Sequence, residues 1–177
     1  MHQFDLKGKT AIVTGGAQGF GLAIVESFLA SHAKVIIWDK DKEVMNSLNV
    51  FPVPDGDTGT NMCFTLLPII EECNNQITEN VGESLDIIAD IALESARGNS
   101  GTIIAQFLHG VRKSCRNKDI INVNDFSKAL VSGYDSAIES LMNPTEGTII
   151  SVMRDVADKS KELCLDKEIS FEKLLDK

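Results

Sequence analysis

A chain of 177 residues with a formal charge of −9 and a pI near 4.8 has too little positive charge for a nucleic-acid or anionic-membrane surface, either of which asks for a basic patch. Its 43% hydrophobic and 24% charged residues fit a globular protein of one domain or two small ones, and exclude disorder. Four cysteines (Cys63, Cys73, Cys115 and Cys164) form no Cys-x-x-Cys pair and have no histidine at zinc-ligand spacing, so reduced thiols in a cytoplasmic protein are expected. In chain order, Met1 to Lys9 lacks the apolar core of a signal peptide, and no later run reaches the roughly 18 apolar residues of a membrane span.

Lys9 to Thr14 reads as a short buried strand, Gly15 to Gly21 as a glycine turn, Leu22 to Ala30 as an apolar-periodic helix, and Lys34 to Trp38 as a second strand ending at Asp39. Strand, glycine turn, helix, strand and acid is the dinucleotide-binding order, because glycines let the backbone approach a pyrophosphate at a helix N-terminus. Thr14-Gly-Gly-Ala-Gln-Gly-Phe-Gly21 resembles the Thr-Gly-x-x-x-Gly-x-Gly loop of short-chain dehydrogenases, and the resemblance covers about residues 4–41. That family implies NAD and a Tyr-x-x-x-Lys pair. Tyr134, the single tyrosine, has Ile138 four places on, and no further βα units follow, so oxidoreduction is disfavoured. Residues 1–43 are expected to form an N-terminal βαβ (Rossmann-like) fragment that either binds a nucleotide or simply packs.

Asn49 to Asn61 reads Asn-Val-Phe-Pro-Val-Pro-Asp-Gly-Asp-Thr-Gly-Thr-Asn. Pro52 and Pro54 stiffen the approach, Gly56 and Gly59 permit tight turns, and Thr60 and Asn61 can open a helix. Asp55 and Asp57 flank one glycine and can converge on a hard cation such as Mg²⁺, which takes oxygen ligands and keeps waters and phosphates in its shell. Asn49 can supply a third oxygen. The plainer alternative is an Asp-Gly turn in which Asp57 caps the next helix.

From about Val44 the pattern turns helical. The 3.6-residue periodicity predicts helices over Asn61–Cys73, Ser84–Ala96, Thr102–Arg116, Asn124–Leu141 and Thr148–Leu163, with a further one starting at Ser170. Polar breaks fall at Asn74–Glu79, Arg97–Gly101 and Asn143–Gly147. With antiparallel helices, the glycine-bearing loops Asn49–Asn61, Arg97–Thr102 and Asn143–Thr148 are each two helices apart, which puts them at one end of the bundle around one pocket. Gly98, Asn99, Ser100 and Gly101 either cradle phosphate oxygens with their N–H groups and the Ser100 hydroxyl, or form a C-cap and N-cap back to back. Thr148 either adds a hydroxyl to phosphate or simply starts a helix.

Leu48 to Met62, Ala96-Arg-Gly-Asn-Ser-Gly101 and Pro144-Thr-Glu-Gly-Thr148, in this order, resemble the nucleotide domain of bacterial fatty acid kinase, a relative of the ATP-binding subunit of dihydroxyacetone kinase, over about residues 44–175. The resemblance implies a barrel of antiparallel helices with ATP and magnesium at one end, and γ-phosphoryl transfer to a small acceptor presented by a fatty-acid-binding partner protein. It implies Asp55, Asp57 and Asn49 as metal ligands, and Gly98, Asn99, Ser100, Gly101, Thr148, Thr60 and Asn61 at the nucleotide. No side chain is expected to act as a catalytic base.

The expected architecture is mainly α: a truncated antiparallel helical barrel or bundle over 44–177, lacking the family's first and last helices, behind the βαβ fragment. In one reading the helix near Gly21–Ser31 replaces the missing first helix; in the other, two unrelated pieces join near residues 40–46. Mg-ATP-dependent phosphoryl transfer is the expected function. The alternatives are a non-catalytic nucleotide- or partner-binding remnant of a chimeric reading frame, and an NAD-binding dehydrogenase fragment.

Overall fold

The computed structural model of the chain describes all residues other than 1–6, 8, 15–18, 39–40, 50–53, 74–75, 167 and 176–177. The described elements are β1 (Thr10–Thr14), α1 (Gly19–Ala30), β2 (Lys34–Trp38), α2 (Asp41–Ser47), α3 (Thr58–Cys73), α4 (Val81–Ser95), α5 (Gly98–Cys115), α6 (Val123–Glu139), α7 (Ile149–Leu163) and α8 (Phe171–Leu175). The chain is mainly helical, and it divides into two compact units, Met1–Thr60 and Asn61–Lys177. Among the described residues no helix is long and apolar enough to cross a membrane.

In the N-terminal unit β1 and β2 pair in parallel, with Thr10 opposite Lys34 and Thr14 opposite Trp38. Helix α1 connects them and packs on both strands, burying Val25. A parallel pair needs such a crossover because a tight turn cannot reverse the chain twice. Helix α1 closes with His32 at φ +64° and a bond from the Ala33 N–H to the Phe28 carbonyl, 3.0 Å, as a left-handed C-terminal cap. The glycine turn at 15–18 and Asp39, on which the dinucleotide reading rests, lie outside the described residues. Helix α2 is a departure from the sequence reading, which placed no helix at Asp41–Ser47. The Leu48–Asn61 stretch is therefore entered from a short helix.

In the helical unit, α4 packs on α5, α5 on α6 and α6 on α7. Neighbours in sequence joined by short connections make an antiparallel array. Its core holds Ile103 and Ile104 of α5, Ala137 of α6, and Ile150 and Met153 of α7, with Met62 and Leu66 of α3 against them. Tyr134 packs on this cluster and serves as core. A second cluster, Val111, Cys115 and Ala129, fills the other half of the α5–α6 contact. Between the two, the helices approach closely. A Cβ added to Gly110 would lie 2.1 Å from the Ser132 carbonyl oxygen, and the Ser132 hydroxyl donates to the Gly110 carbonyl at 2.8 Å. Farther out, the Ser127 and Ser160 hydroxyls are bonded at 2.9 Å inside the α6–α7 contact, and Phe126 meets Phe171 of α8 edge-on at 5.7 Å.

The first turn of α4 has its backbone donors accounted for, as a helix end requires. Val81 N–H donates to the Asp119 carbonyl at 3.1 Å, Gly82 N–H to the Lys118 carbonyl at 2.9 Å, and Glu83 N–H to the Asn80 side chain at 2.9 Å. The α5–α6 turn that supplies these carbonyls is itself fixed by a capping box. Asn122 accepts from the Asp125 N–H, and Asp125 accepts from the Asn122 N–H and from Lys118.

Helix starts are earlier than periodicity places them: Thr58 and not Asn61, Val81 and not Ser84, Gly98 and not Thr102, and Val123 after an Asn122 cap and not an Asn124 one. Thr148 is the cap that opens α7, as the sequence suggests. Residues 50–53 of the acidic stretch and 74–75 of the polar break lie outside the described residues. Phe64, Leu67 and Ile70 of α3 are exposed, as are Val152 and Val156 of α7.

Two outcomes follow. Gly110→Ala drives a methyl into backbone that cannot move aside, so stability falls by about 1–3 kcal/mol, measurable as a lower urea midpoint at unchanged slope. The hydrogen bond from Lys118, and next the Asn122 N–H, hold the Asp125 carboxyl below the usual carboxylate range. A depressed folded-state pKa contributes stability above the unfolded value, about 3.9, which is lost as pH falls through the folded one. The melting temperature of Asp125→Asn therefore lies below that of the wild type at neutral pH, and the gap closes in acid.

Candidate functional site

The acidic loop belongs to the N-terminal unit. Gly56 turns the chain at φ +66°, a left-handed conformation that suits glycine. Asp55 is exposed and Asp57 half-buried, immediately before α3. The Asn49 Nδ2 donates to Asp55 Oδ1 at 2.6 Å, and the Thr58 hydroxyl donates to Asn49 Oδ1. Asn49 thus ties the first carboxylate to the first residue of α3. Two carboxylates and an amide oxygen form a hard donor set that suits Mg²⁺, which retains waters in its shell. Among the described residues no group of three or more His, Cys, Asp or Glu side chains is poised for a metal ion.

Thr60, expected at the nucleotide, has both polar groups in use. Its hydroxyl accepts from Asn46 Nδ2 at 2.9 Å, and its N–H donates to Asn46 Oδ1 at 3.1 Å. Asn46 and Thr58 escaped the sequence reading. The signal for Asn46 is a bidentate amide near the end of a short polar helix; only the structure shows what it reaches.

In the helical unit, Asn61 and the glycine loop are brought together. A Cβ on Gly98 would lie 2.3 Å from Asn61 Nδ2, and one on Gly101 would lie 2.2 Å from Thr65 Oγ1. Thr65 is fully buried. Its hydroxyl donates to the Asn61 carbonyl at 2.8 Å and accepts from the Arg97 N–H at 3.1 Å. Gly101 is therefore required by the approach of the buried Thr65, and Gly98 by its own backbone at φ +56°. Asn99 is exposed at that start, and Ser100 is buried. The signal for Thr65 was available: one hydroxyl among the apolar residues Met62 to Ile70 on the helix face that meets the core.

Thr148 caps α7, accepting from the Ile150 N–H at 3.4 Å and donating to the Thr145 carbonyl at 2.8 Å. Ser151 and Arg154 bond Glu146 in the preceding turn and hold its carboxyl below the ordinary range. Core contacts between the start of α5, the end of α6 and the start of α7 put Gly98–Gly101 and Thr148 at one end of this helical array, as the even spacing of loops predicts for these two. An open polar groove of about 640 Å³ lies elsewhere, between α5 and α6 at His109, Lys113, Lys128 and Asp135, and none of the expected site residues lines it.

A family model of the DAK2 domain matches residues 52–177. The chain belongs to the DAK2 domain family. The DAK2 match supports a dihydroxyacetone-kinase-like domain. The chain is 42% identical over 116 residues to an uncharacterized protein of Staphylococcus saprophyticus, covering 66% of this chain and 21% of that protein. It is 41% identical over 115 residues to an uncharacterized protein of Staphylococcus epidermidis, covering 65% and 21%. With protein YloV of Bacillus subtilis it shares 38% over 136 residues, covering 77% and 24%. This DAK2 chain thus spans about a quarter or less of the length of these relatives.

Thr65→Val keeps the shape of the side chain and removes the acceptor of the Arg97 N–H. The expected loss is about 1–3 kcal/mol, read from thermal or urea unfolding.

Proposed function

We propose that this DAK2 domain binds Mg-ATP and passes its γ-phosphoryl group to a small acceptor, a fatty acid or a dihydroxyacetone-like compound, presented by a fatty-acid-binding partner protein. The observation that carries the reading is the acidic loop: Asp55 exposed, Asp57 half-buried, one left-handed glycine between them, and Asn49 bonded to the first carboxylate. Asp55 and Asp57 hold the metal, with the Asn49 oxygen as a third donor. Bound magnesium supplies charge neutralisation at the phosphate oxygens. Gly98, Asn99 and Ser100 offer N–H groups at the start of α5, where the helix dipole favours anions, and Gly101 lets α3 come close beside them. Thr148, Thr60 and Asn61 border the nucleotide. Positioning and charge supply most of what phosphoryl transfer needs: the acceptor oxygen bonds the γ-phosphorus as the bond to the ADP oxygen breaks, a carboxylate acceptor having no proton to lose and a hydroxyl acceptor releasing its proton to solvent. The four free thiols suit a reducing cytoplasm.

A second reading, nucleotide or partner binding without turnover, draws on the glycine loop. Gly98 is already required by its left-handed backbone and Gly101 by Thr65, so phosphate contact is not needed to account for them.

Calorimetric titration of the chain with Mg-ATP separates these readings from no site at all. Asp55→Asn and Asp57→Asn should each weaken binding by about tenfold or more. Binding indifferent to both substitutions sinks the metal assignment. Tight binding with no transfer to a carboxylate or hydroxyl acceptor on the partner protein favours the second reading.

A further inference from the structure

The acidic loop leaves the end of α2 and returns at the start of α3, and two side-chain amides bridge its stem. Asn46 takes Thr60 with both polar atoms, Nδ2 to the hydroxyl at 2.9 Å and Oδ1 from the N–H at 3.1 Å. Asn49 takes the Thr58 hydroxyl and extends its Nδ2 to Asp55 at 2.6 Å. These are two successive rungs, the second lying three residues nearer the loop on the outgoing side and two on the return. The Asn49 N–H donates to the Asn46 carbonyl at 3.3 Å, which carries the last turn of α2 into the outgoing side of the stem. On the opposite side, a Cβ on Gly59 would stand 2.3 Å from the Lys42 carbonyl oxygen, so α2 rests against the backbone of the first turn of α3.

We propose that Asn46 is a positioning residue for the cation: with Asn49 it staples the stem of the loop, and so keeps Asp55 and Asp57 in the shape in which both serve one metal ion. The inference rests on the metal assignment made above. Two carboxylates on a short loop repel one another, and an unstapled loop relaxes by separating them. Closing the stem in advance removes that freedom before the cation arrives, so the benefit falls on cation affinity. Asn46 has both polar atoms committed to Thr60, which gives it the role of support; Asn49 belongs to both stem and donor set.

The test uses the full chain, Mn²⁺ as the probe for magnesium, no nucleotide, and electron paramagnetic resonance to count free Mn²⁺. Circular dichroism runs in parallel as a check on the helices. Asn46→Ala should weaken Mn²⁺ binding by about 10- to 100-fold, the usual effect of removing a support behind metal ligands. Asn46→Gln, with the same amide one methylene too far out, should not restore it. Gly59→Ala attacks the same joint without removing a hydrogen-bonding side chain and should weaken binding comparably. Thr60→Val, which keeps the N–H rung and loses the hydroxyl one, should fall between. Wild-type affinity in Asn46→Ala and Gly59→Ala, while Asp55→Asn abolishes binding, overturns the positioning role and leaves the metal assignment standing. A wild-type chain that takes no Mn²⁺ removes both.

Discussion

The Thr65 hydroxyl decides how the helical unit is put together around its glycine loop. It sits on the face of α3 that meets the core, gives its proton to Asn61 one turn back, and receives the N–H of Arg97. Only Ala96 and Arg97 separate α4 from α5, so the bond fixes the corner between those helices as well as the pose of α3. A hydroxyl buried without partners would cost more than it gives; fully bonded, it specifies one arrangement among several that the apolar faces alone would tolerate. The absent Cβ of Gly101 is what lets that hydroxyl in.

Much of this was legible in the residues, and the misses have a common cause. The apolar stripes from Met62 to Leu163 set five helices in the right order, because burial of one face is what periodicity reports. The starts of α3 and α5 were read three or four residues late because Gly59, Gly98 and Gly101 look like loop residues. Glycine is a poor helix former, yet here it is chosen for the room it leaves beside a neighbouring backbone or side chain. Helix α2 is short and mostly polar, without the repeated stripe that would have announced it. The identities of the metal-loop residues could be read from their pattern, but their engagement could not. That Thr60 is held by Asn46 and that Asn49 joins Asp55 to Thr58 are facts of tertiary placement, whereas the Thr148 cap is local and was among the alternatives the residues offered.

The two units answer to different physics. In the N-terminal one, the described polar contacts near the acidic loop are made by neutral amides and hydroxyls, with the Asp55 carboxylate as a charged acceptor. In the helical one, charge is put to structural use at the ends: Asp125 with Lys118 at the α5–α6 turn, Glu146 with Arg154 before α7. Both carboxyls lie below their ordinary range chiefly through hydrogen bonds, to Lys118 in one case and to Ser151 in the other. These partners matter more for fixing the turn than for net attraction, since both pairs are in contact with water.

The sequential packing of α4 through α7 has a consequence for which substitutions the domain tolerates. Each helix leans on its neighbours in the chain, so α5 and α6 hold the middle position by connectivity alone. A lesion at the Gly110–Ser132 crossing parts the array into two pairs, each with a face suddenly bare. A lesion at Ser127–Ser160 strips one helix from the outside. Permissiveness to mutation should therefore rise outward from the middle of α5 and α6, in a gradient set by the order of the chain and not by depth of burial.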